Sequence, residues 1–317
     1  MAVIGNKVVL VAGGLSNRFN PMRLGIVDGN RMEIDKLTRA ENVDIADNKA
    51  VRMRQGRTKV YNGTPHSFWA DPRAALEVYF VEASTLKQLA VDYTAADVAT
   101  MTNNNPMVFE PVNDDTVISN GADIGWLKAG VYAAFNPTLG DFEAKTPAGQ
   151  FLAFFNGKLY VAAGKVLIES KPYNIEVYDT RFGLFPMPAA IRMIGAVEDG
   201  LWLSTTQGVA FLRGGGGDEF VYVPRVKPAY YGAFYAGNDF KDRKVCAWVS
   251  EDGIMLGLAG GQIERVTPDD VAFPSATQGK LFKTMRDGIK QWIAVIHNPG
   301  DSNAYEPPAV TVNTQNL

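Results

Sequence analysis

The sequence predicts an all-β protein, a β-propeller of about six or seven short-stranded blades with extended N- and C-terminal arms. Three observations carry that prediction. First, Glu198 to Leu212 spells a hairpin: Asp199-Gly200 as a turn pair, a short apolar strand, a polar break at Thr205 to Gly208, and a second strand with Val209 and Phe211. Second, the phrase returns at Glu251 to Ile263 and, more loosely, at Asn156 to Ile168. The glycines Gly157, Gly200 and Gly253 stand about 43 and about 53 residues apart, which brackets the length of one blade. Third, strands of about five residues alternate with Gly, Asn and Asp turns along most of the chain, and few helical periods occur.

In chain order, residues 1–40 hold one clear strand, Lys7 to Ala12, followed by the turn signals Asn20-Pro21 and Asp28-Gly29. They read as a lead-in and a ring-closing strand. Residues 41–297 read as the propeller, with hairpins at 42–61, 67–89, 107–134, 151–169, 191–212 and 244–266 as the six candidate blades. In the first, Val43 and Ile45, then Val51 and Met53, alternate with polar residues, and Arg52, Arg54, Arg57 and Lys59 form the one dense basic cluster, read as a solvated strand face. A helix from Ser84 through Ala99 competes with strands there; β-branched Val91, Val98 and Thr100 favour strands. Asn120-Gly121 between apolar runs is a strong hairpin signal. Gly214 to Gly217 reads as a flexible loop, since no Lys-Ser/Thr follows as a phosphate cradle requires. The last strand, Trp292 to Ile296, is expected to pair with an N-terminal strand and close the blades. Residues 298–317, polar and proline-rich, read as an extended arm ordered by a partner.

With 317 residues, 46% apolar and 21% charged, the chain has the composition of an ordinary soluble globular protein. A net charge of -3 argues against a grip on nucleic acid. The single cysteine, Cys246, forms no intrachain disulfide and reads as a small buried hydrophobe. The N-terminal apolar run is too short for a membrane span and lacks the pattern of a signal peptide. Neither membrane insertion nor secretion is expected.

The chemistry-bearing residues are sparse. Two histidines, His66 and His297, and no Cys-x-x-Cys or His-Glu-x-x-His leave no zinc set. Ser84-Thr-Leu-Lys87 fits Ser-x-x-Lys, but its Ser-Asp-Asn and Lys-Thr-Gly partners are missing. Asp114, Asp115, Asp123, Asp179, Asp199 and Asp252 stand on turns, where a glycosidase pair would be sought. Asp before Gly is also a turn former, and it recurs because the hairpin recurs. Asp44, Asp47 and Asp301 lack a calcium-loop frame. Trp69, Trp126, Trp202, Trp248 and Trp292, about one per unit, read as packing between blades. The reading is therefore of a protein that is not an enzyme, with no catalytic, cofactor-binding or metal residues and no cofactor.

The stretch Glu41 to Val60, an Asn-Val-Asp strand followed by a basic strand and the turn Arg54-Gln-Gly-Arg-Thr58, resembles a phrase common in bacteriophage tail structural proteins. The hairpins at Gly157-Lys-Leu-Tyr-Val, Asp199-Gly200 and Asp252-Gly253 look like the blades of the same proteins. The group is the nozzle-like (tail hub) β-propeller proteins of short-tailed phages, many of them longer than this chain, and the resemblance covers roughly residues 40 to 296. It implies a virion component assembled in the host cytoplasm, forming a ring of copies that contributes to the DNA exit channel. It implies contacts with other tail proteins, such as an adaptor and fibres or a needle, and transient passage of DNA without specific binding. It carries over no catalytic residue. A carbohydrate- or receptor-binding propeller is the alternative, and a glycan-degrading enzyme the third reading.

Overall fold

The computed structural model describes residues 61–71, 73, 78–214, 226–267, 273, 275–285 and 290–297 with their side chains, and the backbone of the N-terminal strands, of 220–223, of 286, of 289 and of 309–313. The N-terminal part contributes three two-stranded ladders: β1 (Ala2–Ile4) with β2 (Lys7–Val9), β3 (Gly25–Asp28) with β4 (Arg31–Ile34), and β5 (Val43–Ile45) with β6 (Val51–Met53). The basic cluster at Arg52, Arg54, Arg57 and Lys59 lies outside the described side chains, as do Asp44, Asp47 and Asp301.

Five antiparallel meanders of four strands follow. The first holds β7 (His66–Ala70), β8 (Val78–Glu82), β9 (Thr85–Leu89) and β10 (Ala95–Thr100); the second, β11 (Val108–Val112), β12 (Asp115–Ser119), β13 (Ile124–Lys128) and β14 (Val131–Ala134). Next comes β15 (Glu143–Lys145), which stands outside the meanders. The third meander is β16 (Phe151–Phe155), β17 (Lys158–Ala163), β18 (Val166–Glu169) and β20 (Leu184–Pro186), and the inserted β19 (Val177–Asp179) pairs back with β15. The fourth is β21 (Ile191–Ala196), β22 (Gly200–Thr205), β23 (Val209–Arg213) and β24 (Phe220–Val223). The fifth is β25 (Phe234–Asn238), β26 (Lys244–Ser250), β27 (Gly253–Gly257) and β28 (Ile263–Arg265). A sixth, three-stranded sheet joins the nine-residue β29 (Gln278–Arg286) and β30 (Ile289–His297) to β31 (Ala309–Asn313).

Sequential pairing of short strands suits a chain in which many of the turns are two to a few residues long. The β16–β17 turn is Asn156-Gly157 with both φ positive (49° and 74°), the geometry that matches the twist of a hairpin. The β12–β13 loop is fixed by Asn120, whose Oδ1 accepts the N–H groups of Ala122 (3.0 Å) and Asp123 (2.7 Å). Inward-facing β-branched and aromatic residues then bury the middle strands: all six residues of β22 and all five of β27 are buried.

The segment Ser84–Ala99 is strand, turn and strand, the reading that its β-branched residues favour. Other expectations are corrected. Residues 43–53 contribute a two-stranded ladder, and the sixth larger sheet lies at 278–313 instead. Trp292–Ile296 belongs to β30, whose two edges are taken by β29 and β31, so it pairs with no N-terminal strand. Part of the C-terminal segment is ordered by its own chain, as β31. Gly200 is no positive-φ turn residue: it opens β22, and a Cβ there would lie 2.3 Å from the carbonyl oxygen of Leu212.

The chain divides into two compact units, residues 59–228 with 259–261, and residues 1–58, 229–258 and 262–317. In the first, one core gathers Val117, Leu152, Leu159, Val161 and Ile168 and another Tyr79, Val81, Leu86 and Leu127. In the second, Val245, Ala247, Val249, Ile254 and Trp292 form the core. No helix among the described residues is long and apolar enough to cross a membrane.

Candidate interaction surface

Most of the carboxylates singled out on turns are engaged in holding the turns. Asp115 pairs with Lys128 (2.7 Å). Asp123 accepts the N–H (2.8 Å) and hydroxyl (2.5 Å) of Thr102 and the Asn120 side chain (3.0 Å), bonds that hold its carboxyl below the usual range against the opposing effect of burial. Asp199 accepts the Gly260 N–H (2.8 Å), within the first unit. Asp114 and Asp252 sit in two-residue turns, Asn113-Asp114 between β11 and β12 and Glu251-Asp252 between β26 and β27. No group of three or more metal-ligating side chains occurs among the described residues.

The other motif residues are absorbed in the same way. Ser84 lies in a turn, and Lys87 pairs with Asp97 (2.7 Å). His66 contacts Ser67 (2.8 Å) and Asn104 (3.0 Å) through its two ring nitrogens. Cys246 is fully buried in β26, and burial pushes its thiol well above the ordinary value, away from the reactive thiolate. Trp202, Trp248 and Trp292 are buried. Trp69 of β7 stacks on Phe109 of β11 at 5.1 Å, joining the first two sheets, and Trp126 donates its indole N–H to Glu176 (2.8 Å). Gly215–Gly217 lie outside the described residues.

A different constellation emerges around β15 and β19. The link from β18 to β20 runs from 170 to 183, much longer than the two-residue Ala129-Gly130 link between β13 and β14, and it carries exposed aromatic residues. Tyr173 is 91% exposed, Phe182 73% and Phe142 60%, with Leu139 and Leu184 also exposed. Between two of these rings lies Arg181, its guanidinium carbon 4.4 Å from the centroid of Phe142 and 5.3 Å from that of Phe182. Asp179 fixes it, accepting Nε (3.0 Å) and Nη2 (2.7 Å), while the Arg181 backbone N–H (2.9 Å) adds a third bond. Those bonds hold the Asp179 carboxyl down to about 2. The Phe142 carbonyl accepts both the N–H (2.9 Å) and the hydroxyl (3.1 Å) of Thr180, and Lys171 pairs with Glu143.

Arg181 and Lys171 thus each have an acidic partner on this surface, and its projecting parts are aromatic. Nothing in it is arranged for bond-making chemistry. Such Arg-and-aromatic clusters are the composition of protein contact sites. The sequence reading missed it, although a signal existed: Asp-Phe-Glu, Pro-Tyr-Asn and Arg-Phe-Gly place aromatics among turn residues, outside any alternating run.

No family model matches the chain, and no curated protein matches it. Among solved structures, the chain is similar to BBS1N from its complex with ARL6DN, soaked with mercury, at TM-score 0.52 and 11% identity over 86% of both chains. The lead-soaked form of that complex gives TM-score 0.53 and 12% identity over 86% of both chains. A virginiamycin B lyase from Staphylococcus aureus matches at TM-score 0.48 and 10% identity, over 79% of this chain and 84% of that one. The fold class is a β-propeller. At such identities the likeness concerns the fold.

Proposed function

We propose that this chain is a non-enzymatic structural protein of a phage tail, a ring-forming nozzle or hub component that contributes to the DNA exit channel and docks neighbouring tail proteins. The observation that carries the docking role is the Phe142–Arg181–Phe182 cluster, in which Arg181 and Phe182 lie on an insertion the meander does not need. The engagement of Asp115, Asp123, Asp179 and Asp199 in local bonds supports a scaffold over a hydrolase. The virion setting rests on the resemblance of Glu41 to Val60 and of the repeated hairpins to tail proteins. The acidic balance, -3 overall, suits a channel wall that must release DNA.

Electron microscopy of the particle is the test. Several copies on the tail axis are expected; a peripheral, single-copy location would sink the nozzle reading. The exposed Tyr173 ring keeps a sugar-binding propeller as the second reading. Glycan binding by the isolated protein, abolished in Tyr173→Ala, would favour it. Cleavage of a host polysaccharide, lost in Asp199→Asn or Asp252→Asn, would instead make the chain an enzyme.

A further inference from the structure

We infer that Asn62 is a site of spontaneous modification, at which the main-chain nitrogen of Gly63 closes on the side-chain carbonyl and converts the amide to aspartate and isoaspartate. The chain holds three Asn-Gly pairs, Asn62-Gly63, Asn120-Gly121 and Asn156-Gly157. In each the glycine puts no side chain beside the attacking nitrogen. The chemistry is therefore the same at all of them, and the fold separates the sites. The Gly63 nitrogen gives up its proton to hydroxide and forms a bond to Cγ of Asn62. The Cγ–Nδ2 bond breaks, and ammonia leaves with a proton from water. Water then opens the cyclic imide at either carbonyl, which yields aspartate from one side and isoaspartate from the other.

Asn120 is locked. It is 2% exposed, its Oδ1 accepts the N–H groups of Ala122 (3.0 Å) and Asp123 (2.7 Å), and its Nδ2 donates to Asp123 (3.0 Å). To react, its carboxamide would have to leave all of those bonds. Asn156 is exposed but turned the wrong way. Its φ of 49° is left-handed, and at the ψ of that region, roughly +30 to +60°, the following nitrogen lies trans to Cβ, out of reach of Cγ. The turn is also held from outside, since the Gly157 carbonyl accepts the Tyr173 N–H (2.8 Å). Asn62 has neither protection. It is exposed, lies before β7 outside any strand, and is not left-handed. Its side chain and the Gly63 N–H have no hydrogen-bond partner among the described residues. Glu82 lies against Gly63 with both carboxylate oxygens engaged, by the Tyr61 hydroxyl (2.5 Å) and the Thr64 N–H (2.9 Å). Those bonds anchor the segment on either side of the reacting pair. Isoaspartate adds one main-chain methylene between the anchors, and either product adds a negative charge there.

The test is peptide mass spectrometry on the folded full chain after ageing in mildly alkaline heavy-oxygen water at body temperature. Each site's rate is compared with its own rate in denaturant, so that the fold alone separates them. On that scale Asn62 is expected to take up heavy oxygen at least about tenfold faster than Asn120 or Asn156, which react only through local opening. Isoaspartate and aspartate should both form at 62. Asn62→Gln, which would need a larger ring, should lose the uptake there while circular dichroism stays that of the parent. Asn120 or Asn156 converting as fast as Asn62 in the folded protein would overturn the proposal. So would an Asn62 that stays unchanged when the denatured chain converts, or aspartate formed without isoaspartate. The inference concerns the isolated chain and does not depend on the tail reading.

Discussion

Ser84 sits with Ala83 in the two-residue turn between β8 and β9, at φ 64° and 48°. Both are left-handed positions that a Cβ disfavours by about 1–2 kcal/mol each. Neither residue has a side chain that compensates by bonding its own backbone as Asn does. Ser84→Gly should therefore stabilise the fold by about 1 kcal/mol, raising the thermal midpoint by a few degrees. An unchanged or lower midpoint would show that the turn is not strained. The same residue scale governs acid behaviour. Asp179 titrates near 2 when folded against 3.8 ordinarily, because Arg181 holds its charged form. Its contribution is present in full above the ordinary value and is lost as pH falls through about 2. Acid unfolding of Asp179→Asn should thus depart from the parent at neutral pH, and the two curves should converge towards pH 2.

Among elements, three glycines that look alike in the sequence do three different jobs. Gly157 supplies a positive φ in a hairpin turn. Gly253 combines φ 107° with a close approach to Thr267, whose Oγ1 would be 2.7 Å from a Cβ. Gly200 is extended and is needed for space alone, against the Leu212 carbonyl oxygen and the Phe211 ring. Gly200→Ala must push backbone aside and should cost roughly 2–3 kcal/mol, the scale of overpacking a core. Gly164→Ala, at φ 61° with open space around it, should cost only about 1 kcal/mol. Denaturant midpoints of the two variants check the ordering, and equal costs would refute the steric account. This comparison shows what could be read from residues. The hairpins were legible because alternation and turn chemistry are local: Gly200 to Arg213 and Lys244 to Gly257 fold as their text says. The pairing of β15 with β19 was not, since the three residues of each strand lie over thirty positions apart and neither alternates long enough to signal. The surface built on that ladder was illegible for the same reason, and the pairing of β30 with β31 was hidden in a proline-rich segment.

At the scale of the molecule, the two compact units each contain a buried tyrosine that reports on alkaline unfolding. In the first unit Tyr160, fully buried in β17, has its hydroxyl pushed far above the ordinary 10.0 by burial and by the nearby Glu169. In the second, burial and the charge of Glu251 push Tyr230 up to about 12. A raised tyrosine value means the unfolded chain releases its proton first, near pH 10, and the folded chain later. Stability is therefore present below about pH 10 and falls as pH rises towards 12, in each unit separately. Phenolate absorbance should show, after the rise from the exposed tyrosines, a further late step that coincides with loss of circular dichroism. Tyr160→Phe and Tyr230→Phe should each move that step upward in pH. If both variants move one common transition, the units unfold cooperatively; if each moves its own transition, they unfold independently. Absorbance that reaches its full value with no late step, circular dichroism still intact, would show that neither hydroxyl is buried as described.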